Sequence, residues 1–173
     1  MRRMLTGRCQ VREEGPEDRP LVRRVNEAAF GRADEADLVE RLRGENAVLV
    51  SLVAEIDSAI VGYVLFGRMW IEAASGSISA VALAPVAVVP SHQRSGIGSA
   101  MIRRGLELLR ERREEIVIVL GHADYYPRFG FSCKSARHLQ SSFPPEYYMA
   151  MELKPGALAR ARGKVRYPAA FDL

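Results

Sequence analysis

Val86-Ala87-Val88-Val89-Pro90-Ser91-His92-Gln93-Arg94-Ser95-Gly96-Ile97-Gly98 is the stretch on which the fold turns. A β-branched apolar run ends at Pro90, a polar turn follows with two glycines, and the spacing of apolar residues then changes. Across residues 95–113, Ile97, Met101, Ile102, Leu106 and Leu109 recur at helical period and make one face of a long helix. Residues 116–120 come next as a short, wholly apolar run, the pattern of a buried strand reached by a helical crossover. Strand, glycine turn, helix, strand points to an α/β fold with a mixed sheet.

Working outward, residues 9–13 alternate like a short strand, and Gly15-Pro16-Glu17-Asp18 reads as a turn and helix start. Leu21, Val22, Val25, Ala28 and Ala29 predict one helix, and residues 34–43, with Ala36, Val39 and Leu42 inward, predict a second. Residues 47–55 and 59–66 are two strands joined by a hairpin at Asp57-Ser58. Residues 76–81 and 82–89 continue an antiparallel meander, broken at Pro85 and closed by Pro90. Beyond residue 120, residues 125–129 form a short helix or turn ending at Gly130, with a strand from Phe131 and another near residues 147–153. The Gly-, Pro-, Arg- and Ala-rich residues from about 155 read as a surface extension. With no repeat and no linker, residues 1–173 read as a single domain.

Composition narrows the function. A hydrophobic share of 48% and a charged share of 27% describe a soluble globular chain, and no stretch has the unbroken apolar length of a membrane helix. Met1-Arg2-Arg3-Met4-Leu5-Thr6-Gly7-Arg8 is basic with no apolar run behind it, unlike a secretory signal, so the cytoplasm is the expected compartment. Cys9 and Cys133 form no Cys-x-x-Cys pair and have no histidine at zinc spacing, so no metal is expected. The formal charge of +4 comes from arginines interspersed with glutamates rather than from a basic tract, which argues against a nucleic-acid partner.

A phosphate-bearing ligand explains a local basic site equally well. Unpaired amides at the start of the long helix point outward with the positive end of the helix dipole behind them. Gly96 and Gly98 let a phosphate approach that backbone, and Arg94, with Arg103 or Arg104, adds charge. A Walker loop requires Gly-Lys-Ser or Gly-Lys-Thr, which the turn lacks. A dinucleotide fingerprint requires a small residue where Met101 stands and an acid where Gly121 stands.

The order Gln93, Gly96, Gly98 resembles the acetyl-CoA signature of the GNAT superfamily of N-acetyltransferases. A second match, Tyr125-Tyr126-Pro127-Arg128-Phe129-Gly130-Phe131, is similar to that superfamily's aromatic-Tyr segment closed by Gly-Phe. Ala29-Phe30-Gly31-Arg32, Val119-Leu120-Gly121-His122, residues 149–158 and residues 165–171 extend the resemblance, toward the YhbS-like group of predicted acetyltransferases, over nearly the whole chain. The resemblance implies a GNAT-type fold: a central, mostly antiparallel twisted sheet with a parallel pair at the acetyl-CoA site, flanked by helices. It implies that Val86, Ala87 and Val88 bind pantetheine through their backbone. Gln93, Arg94, Ser95, Gly96, Ile97, Gly98 and Ser99 would then hold the pyrophosphate. In the chemistry it implies, a primary amine on a small molecule, peptide or protein attacks acetyl-CoA directly in a ternary complex. The Val88 amide would steady the oxyanion and Tyr126 would protonate the leaving thiolate.

The chain departs from the family pattern in two places. Residues 119–122 lack the asparagine many relatives use to hold pantetheine, and residues 80–85 lack a glutamate base, so the general base is unassigned. The missing base keeps open a second function, a non-catalytic acyl-CoA-binding sensor. His122, at the end of the central strand, is either a base or a cap, and His92 lies beside the phosphate turn. Asp34, Glu35 and Asp37 line an amine pocket or a solvated helix face. The pattern also leaves room for a homodimer.

Overall fold

A computed structural model of the chain describes residues 7–172; the basic start, residues 1–6, lies outside them. The strands are β1 (Gln10–Glu13), β2 (Val48–Ile56), β3 (Ala59–Ala73), β4 (Gly76–Val88), β5 (Ile116–Leu120), β6 (Leu139–Gln140), β7 (Tyr148–Glu152) and β8 (Gly163–Arg166). The helices are α1 (Arg19–Phe30), α2 (Asp34–Gly44), α3 (Ile97–Glu111) and the single turn α4 (Ala157–Arg160). The sheet runs β1-β2-β3-β4-β5-β7, with β8 paired to β3 and β6 to β8. Along the main path every pairing is antiparallel except β4–β5.

Four sequence expectations change. β3 runs on to Ala73, because Met69 and Ile71 keep burying one face of the strand while Glu72 points outward. β4 is not broken at Pro85. Val64 pairs with Val86 and Phe66 with Leu83, so Leu65 faces both Ala84 and Pro85 across a bulge. A bulge absorbs a residue that lacks an N–H and resets the side-chain alternation. Val81 and Leu83 point to the α3 face before it, and Val86 and Val88 do so after it. No strand starts at Phe131, where a single bridge joins Ser132 to Ala150. Residues 163–166, read as part of a surface extension, pair with the outer half of β3 from Ala73 to Trp70, and Ala157, Ala161 and Val165 are buried.

One sheet face packs against α3 through Ile97, Met101, Ile102, Leu106 and Leu109. The other is covered at one end by α1 and α2, through Val22, Val25, Val39 and Leu42, and at the other end by the chain after residue 139. In α1 the inward stripe is Val22, Val25 and Asn26, whereas Leu21 and Ala28 are exposed. Asp18, also buried, is accounted for by its partners: the Arg12 guanidinium donates to both its oxygens at 2.6 and 3.0 Å and holds its carboxyl below the usual carboxylate range.

α3 approaches the sheet closely because Gly105 carries no side chain. A Cβ there would lie 2.0 Å from Cε2 of Phe66, which is wholly buried. Alanine gains about 1 kcal/mol of helix propensity over glycine, while overpacking a core costs typically 1–3 kcal/mol. Gly105→Ala is therefore expected to lower stability by up to about 2 kcal/mol, read as a lower urea midpoint at unchanged slope. A raised midpoint would show that Phe66 moves aside freely.

Candidate functional site

β4 and β5 are held together only at Val81–Val117 and Ala82–Ile118; beyond those pairs β4 continues to Val88 and β5 to Leu120 with no bridge between them. The strands part, and β4 keeps an open edge toward the gap. The Val89 N–H donates to the Val61 carbonyl at 2.9 Å, so by strand alternation the polar groups of Ala87 face β3 and those of Val86 and Val88 face the opening. The Val88 carbonyl accepts the Gln93 side-chain amide at 2.9 Å, which ties the turn to the strand and leaves the Val88 N–H toward the gap.

The turn below has the geometry of an anion site. Arg94 (φ 58°) and Gly96 (φ 86°) are both left-handed, curving successive amides around one hollow. Gly96 caps α3, whose first internal bond runs from the Ala100 N–H to the Gly96 carbonyl, so the amides of Ile97, Gly98 and Ser99 have no helical acceptor. The far wall is a 3-10 turn at Tyr126–Phe129, closed by Gly130 at φ 105°. The Tyr125 hydroxyl lies 3.1 Å from that of Ser99, and the Arg128 guanidinium sits 4.4 Å from the centre of the Tyr125 ring while its Nε donates to the Tyr125 carbonyl at 2.8 Å.

Tyr126 packs edge-on to Phe131, its ring over Gly121, where a Cβ would come within 2.2 Å of Cε2. Gly121, the position that disqualified a dinucleotide fold, thus makes room for the phenol. Burial first, with Tyr125 adding to it, pushes the Tyr126 hydroxyl up to about 12, so the group stays protonated throughout the neutral range.

Between these walls lies a cleft of about 580 Å³. Of the residues expected there, Val86, Val88, Gln93, Arg94, Gly96, Ile97, Gly98, Ser99 and Tyr126 line it. Ala87 does not: it is 1% exposed, with its side chain under α1 and its backbone engaged with β3. Ser95 does not either, since its hydroxyl donates to the His92 carbonyl. Arg103 rests on Phe129 and Arg104 pairs with Glu107, both away from the cleft. His92 lines it, whereas His122 lies edge-on to Tyr147. Asp34 and Glu35 pair with Arg32, and Asp37 with Arg23, as charged groups on a solvated helix. Sequence reasoning missed Tyr125 and Arg128 as wall residues; the aromatic doublet followed by an arginine three positions on was the available signal.

The cleft suits a long acyl thioester carrying a diphosphate: a left-handed turn and a helix start for the phosphates, a free strand edge for an amide-bearing arm, and a phenol beside it. Among the described residues no helix is long and apolar enough to cross a membrane, and no group of three or more His, Cys, Asp or Glu is placed to hold a metal ion.

Comparison with known proteins agrees. Residues 10–133 match the family described as acetyltransferase (GNAT) domain. The chain is similar to YjhQ of Escherichia coli K12, an uncharacterized N-acetyltransferase, at 39% identity over 133 residues, 75% of this chain and 74% of that one. The crystal structure of YhbS, a GNAT family N-acetyltransferase from Escherichia coli in complex with CoA, matches with a TM-score of 0.88 at 28% identity, over 97% of this chain and 94% of that one. A GNAT family acetyltransferase from Brucella melitensis in complex with acetyl-CoA matches with a TM-score of 0.80 at 33% identity, over 95% and 99%. The open mixed sheet that parts between β4 and β5 is the GNAT fold, and the chain belongs to the GNAT acetyltransferase family.

Proposed function

We propose that the protein transfers an acetyl group from acetyl-CoA to a primary amine by direct attack within a ternary complex. The observation that carries this reading is that the Val88 N–H edge and the Tyr126 phenol belong to opposite walls of one cleft whose floor is a helix start with free amides. Val86 and Val88 hold the pantetheine arm through the open strand edge, and the turn from Arg94 to Ser99 holds the pyrophosphate. The amine nitrogen forms a bond to the acetyl carbon, and the Val88 amide bears the oxyanion. The C–S bond then breaks, the thiolate takes a proton from Tyr126, the nitrogen gives up one proton to water, and the Tyr126 phenolate regains one from water, so amine and thioester become amide and thiol with no net change in protons. Among the described residues no cysteine lines the cleft, which favours direct attack over an acyl-enzyme; Cys133 sits apart, its Sγ 3.5 Å from the Glu146 carbonyl.

Acetyl-CoA at about a hundred times its Kd stabilises the fold by about 2.7 kcal/mol, a Tm rise of about 5–10 °C for a chain of this size. Thermal scans with and without millimolar acetyl-CoA check the binding; no shift in a folded sample sinks the cofactor assignment. Thiol release across an amine panel checks the transfer. Binding with no turnover on any amine would move the assignment to an acyl-CoA-binding sensor.

A further inference from the structure

We infer that the acceptor is a primary amine carried on an apolar group, which seats in a cup on the opposite sheet face from the cleft, and that polycationic amines are disfavoured. The inference rests on the transferase reading and names the substrate class for it. Where β4 and β5 part, the gap opens on both faces. On the face away from α3 lies a cup of about 190 Å³, floored by Ala82 and Ala84 of β4 and Ile118 and Leu120 of β5, and walled by Phe143, Tyr167 and Phe171. Leu120 is 44% exposed at the end of a strand that is otherwise buried, so a large apolar side chain is left uncovered inside a concavity.

The walls are held before any ligand arrives. Phe143 stacks on Tyr148 at 6.0 Å and 18° and meets Tyr167 edge-on at 6.0 Å; Tyr167 leans on Phe171 at 4.9 Å. The Tyr167 hydroxyl lies 3.2 Å from that of Tyr148, so its polar end is satisfied internally and its ring is free to serve as apolar wall. Such rigid aromatic surface binds at low entropic cost.

Charge completes the argument. Among the described residues no aspartate or glutamate lines the cup. Phe143 and Tyr167 also line a trough of about 680 Å³ whose charged lining is Lys164 and Arg166, the latter paired with Glu72 at 2.7 Å. A second ammonium on the acceptor would lose hydration in the cup without gaining a counterion there, and would meet the charge of Lys164 beyond it. An amine with one nitrogen and an apolar remainder fills the cup without either cost.

The test compares 2-phenylethylamine with spermidine at saturating acetyl-CoA, by thiol release, in the wild type, Leu120→Asp and Leu120→Asn. The wild type is expected to favour 2-phenylethylamine in kcat/KM by roughly tenfold or more. Leu120→Asp, at an exposed position, is expected to shift the ratio toward spermidine by a similar factor while the acetyl-CoA thermal shift stays as in the wild type. Leu120→Asn, with no charge, should lower 2-phenylethylamine turnover without favouring spermidine. Equal or greater wild-type activity on spermidine, or a ratio unmoved by Leu120→Asp, overturns the inference. If neither amine turns over, the transferase reading rests on the wider amine panel, and calorimetric titration of 2-phenylethylamine into the CoA-loaded protein decides the cup separately. Saturable binding weakened by Leu120→Asp upholds it, and absence of saturable binding overturns it.

Discussion

Gly98→Val is expected to lower acetyl-CoA affinity by about a hundredfold and leave the fold standing. Gly98 occupies the second position of α3, in an ordinary helical conformation, so a branched residue there brings no backbone strain. Its Cβ would point into the cleft, 3.3 Å from the Tyr125 hydroxyl and 3.9 Å from methyl groups of Val86 and Val88. The two further methyls of valine then occupy the space through which a phosphate reaches the free amides. Losing two hydrogen bonds to a charged group, at about 1.5–3 kcal/mol each, costs about 3 kcal/mol or more, hence the hundredfold. Gly96→Val separates a second effect: at φ 86° a side chain costs about 1–2 kcal/mol in the backbone itself, so that variant loses stability as well as affinity. Ligand titration together with urea unfolding distinguishes the two, and wild-type affinity in Gly98→Val would place the phosphates elsewhere.

Tyr126→Phe should retain acetyl-CoA binding while turnover falls by about a hundredfold, the scale of a lost general acid. The ring and its contact with Phe131 survive; the donor alone is removed. A phenol raised to about 12 is on its face a weaker acid than an exposed tyrosine. The thiolate released into the same poorly hydrated cleft is raised by the same desolvation, which narrows the mismatch. The sign of the shift fixes the pH profile. Because the folded-state value lies above the ordinary one, the proton remains bound through the ordinary tyrosine range and is lost only as pH approaches about 12. Among the described residues no carboxylate lines either the cleft or the cup to take a proton from an ammonium, so on the proposed reading the acceptor reacts as free amine, and turnover rises with pH as an ammonium of lysine-like pKa near 10.4 loses its proton. Turnover should therefore climb from pH 7 toward 10 with no downturn from Tyr126 in that interval. A downturn centred below 10, absent in the phenylalanine variant, would contradict the shift, and wild-type turnover in that variant at saturating acetyl-CoA would falsify the role.

What was legible in the residues beforehand was local. The period of α3, the two glycines at its start and the apolar β5 declare themselves within a few positions of one another, because helix geometry and glycine backbone freedom are properties of neighbours. The bulge opposite Leu65 was not, since whether a proline ends a strand or is absorbed depends on the partner strand's register. That register also decides which of Val86, Ala87 and Val88 present their amides to the gap, a question of parity that a run of similar apolar residues cannot answer. β8 escaped because four residues with one buried valine carry little pattern; the edge of β3 beyond its pairing with β2 selects them as a partner. Tyr126 was readable from its place before Gly130-Phe131, but the space that Gly121 leaves for its ring was not.

The pairing of β8 with the outer half of β3 has a bearing on how such a chain can change over generations. The residues that line the cleft all fall between Val86 and Arg128, whereas the three aromatic walls of the cup stand at 143, 167 and 171. On the proposed reading, the acyl donor and the aromatic walls for the acceptor are inscribed in separate stretches, with Ile118 and Leu120 of the cup's floor shared with the earlier one. Substitutions at the three walls would then change what is acetylated without touching a residue of the donor cleft, and the β3 pairing gives the segment that carries Tyr167 a fixed place to dock.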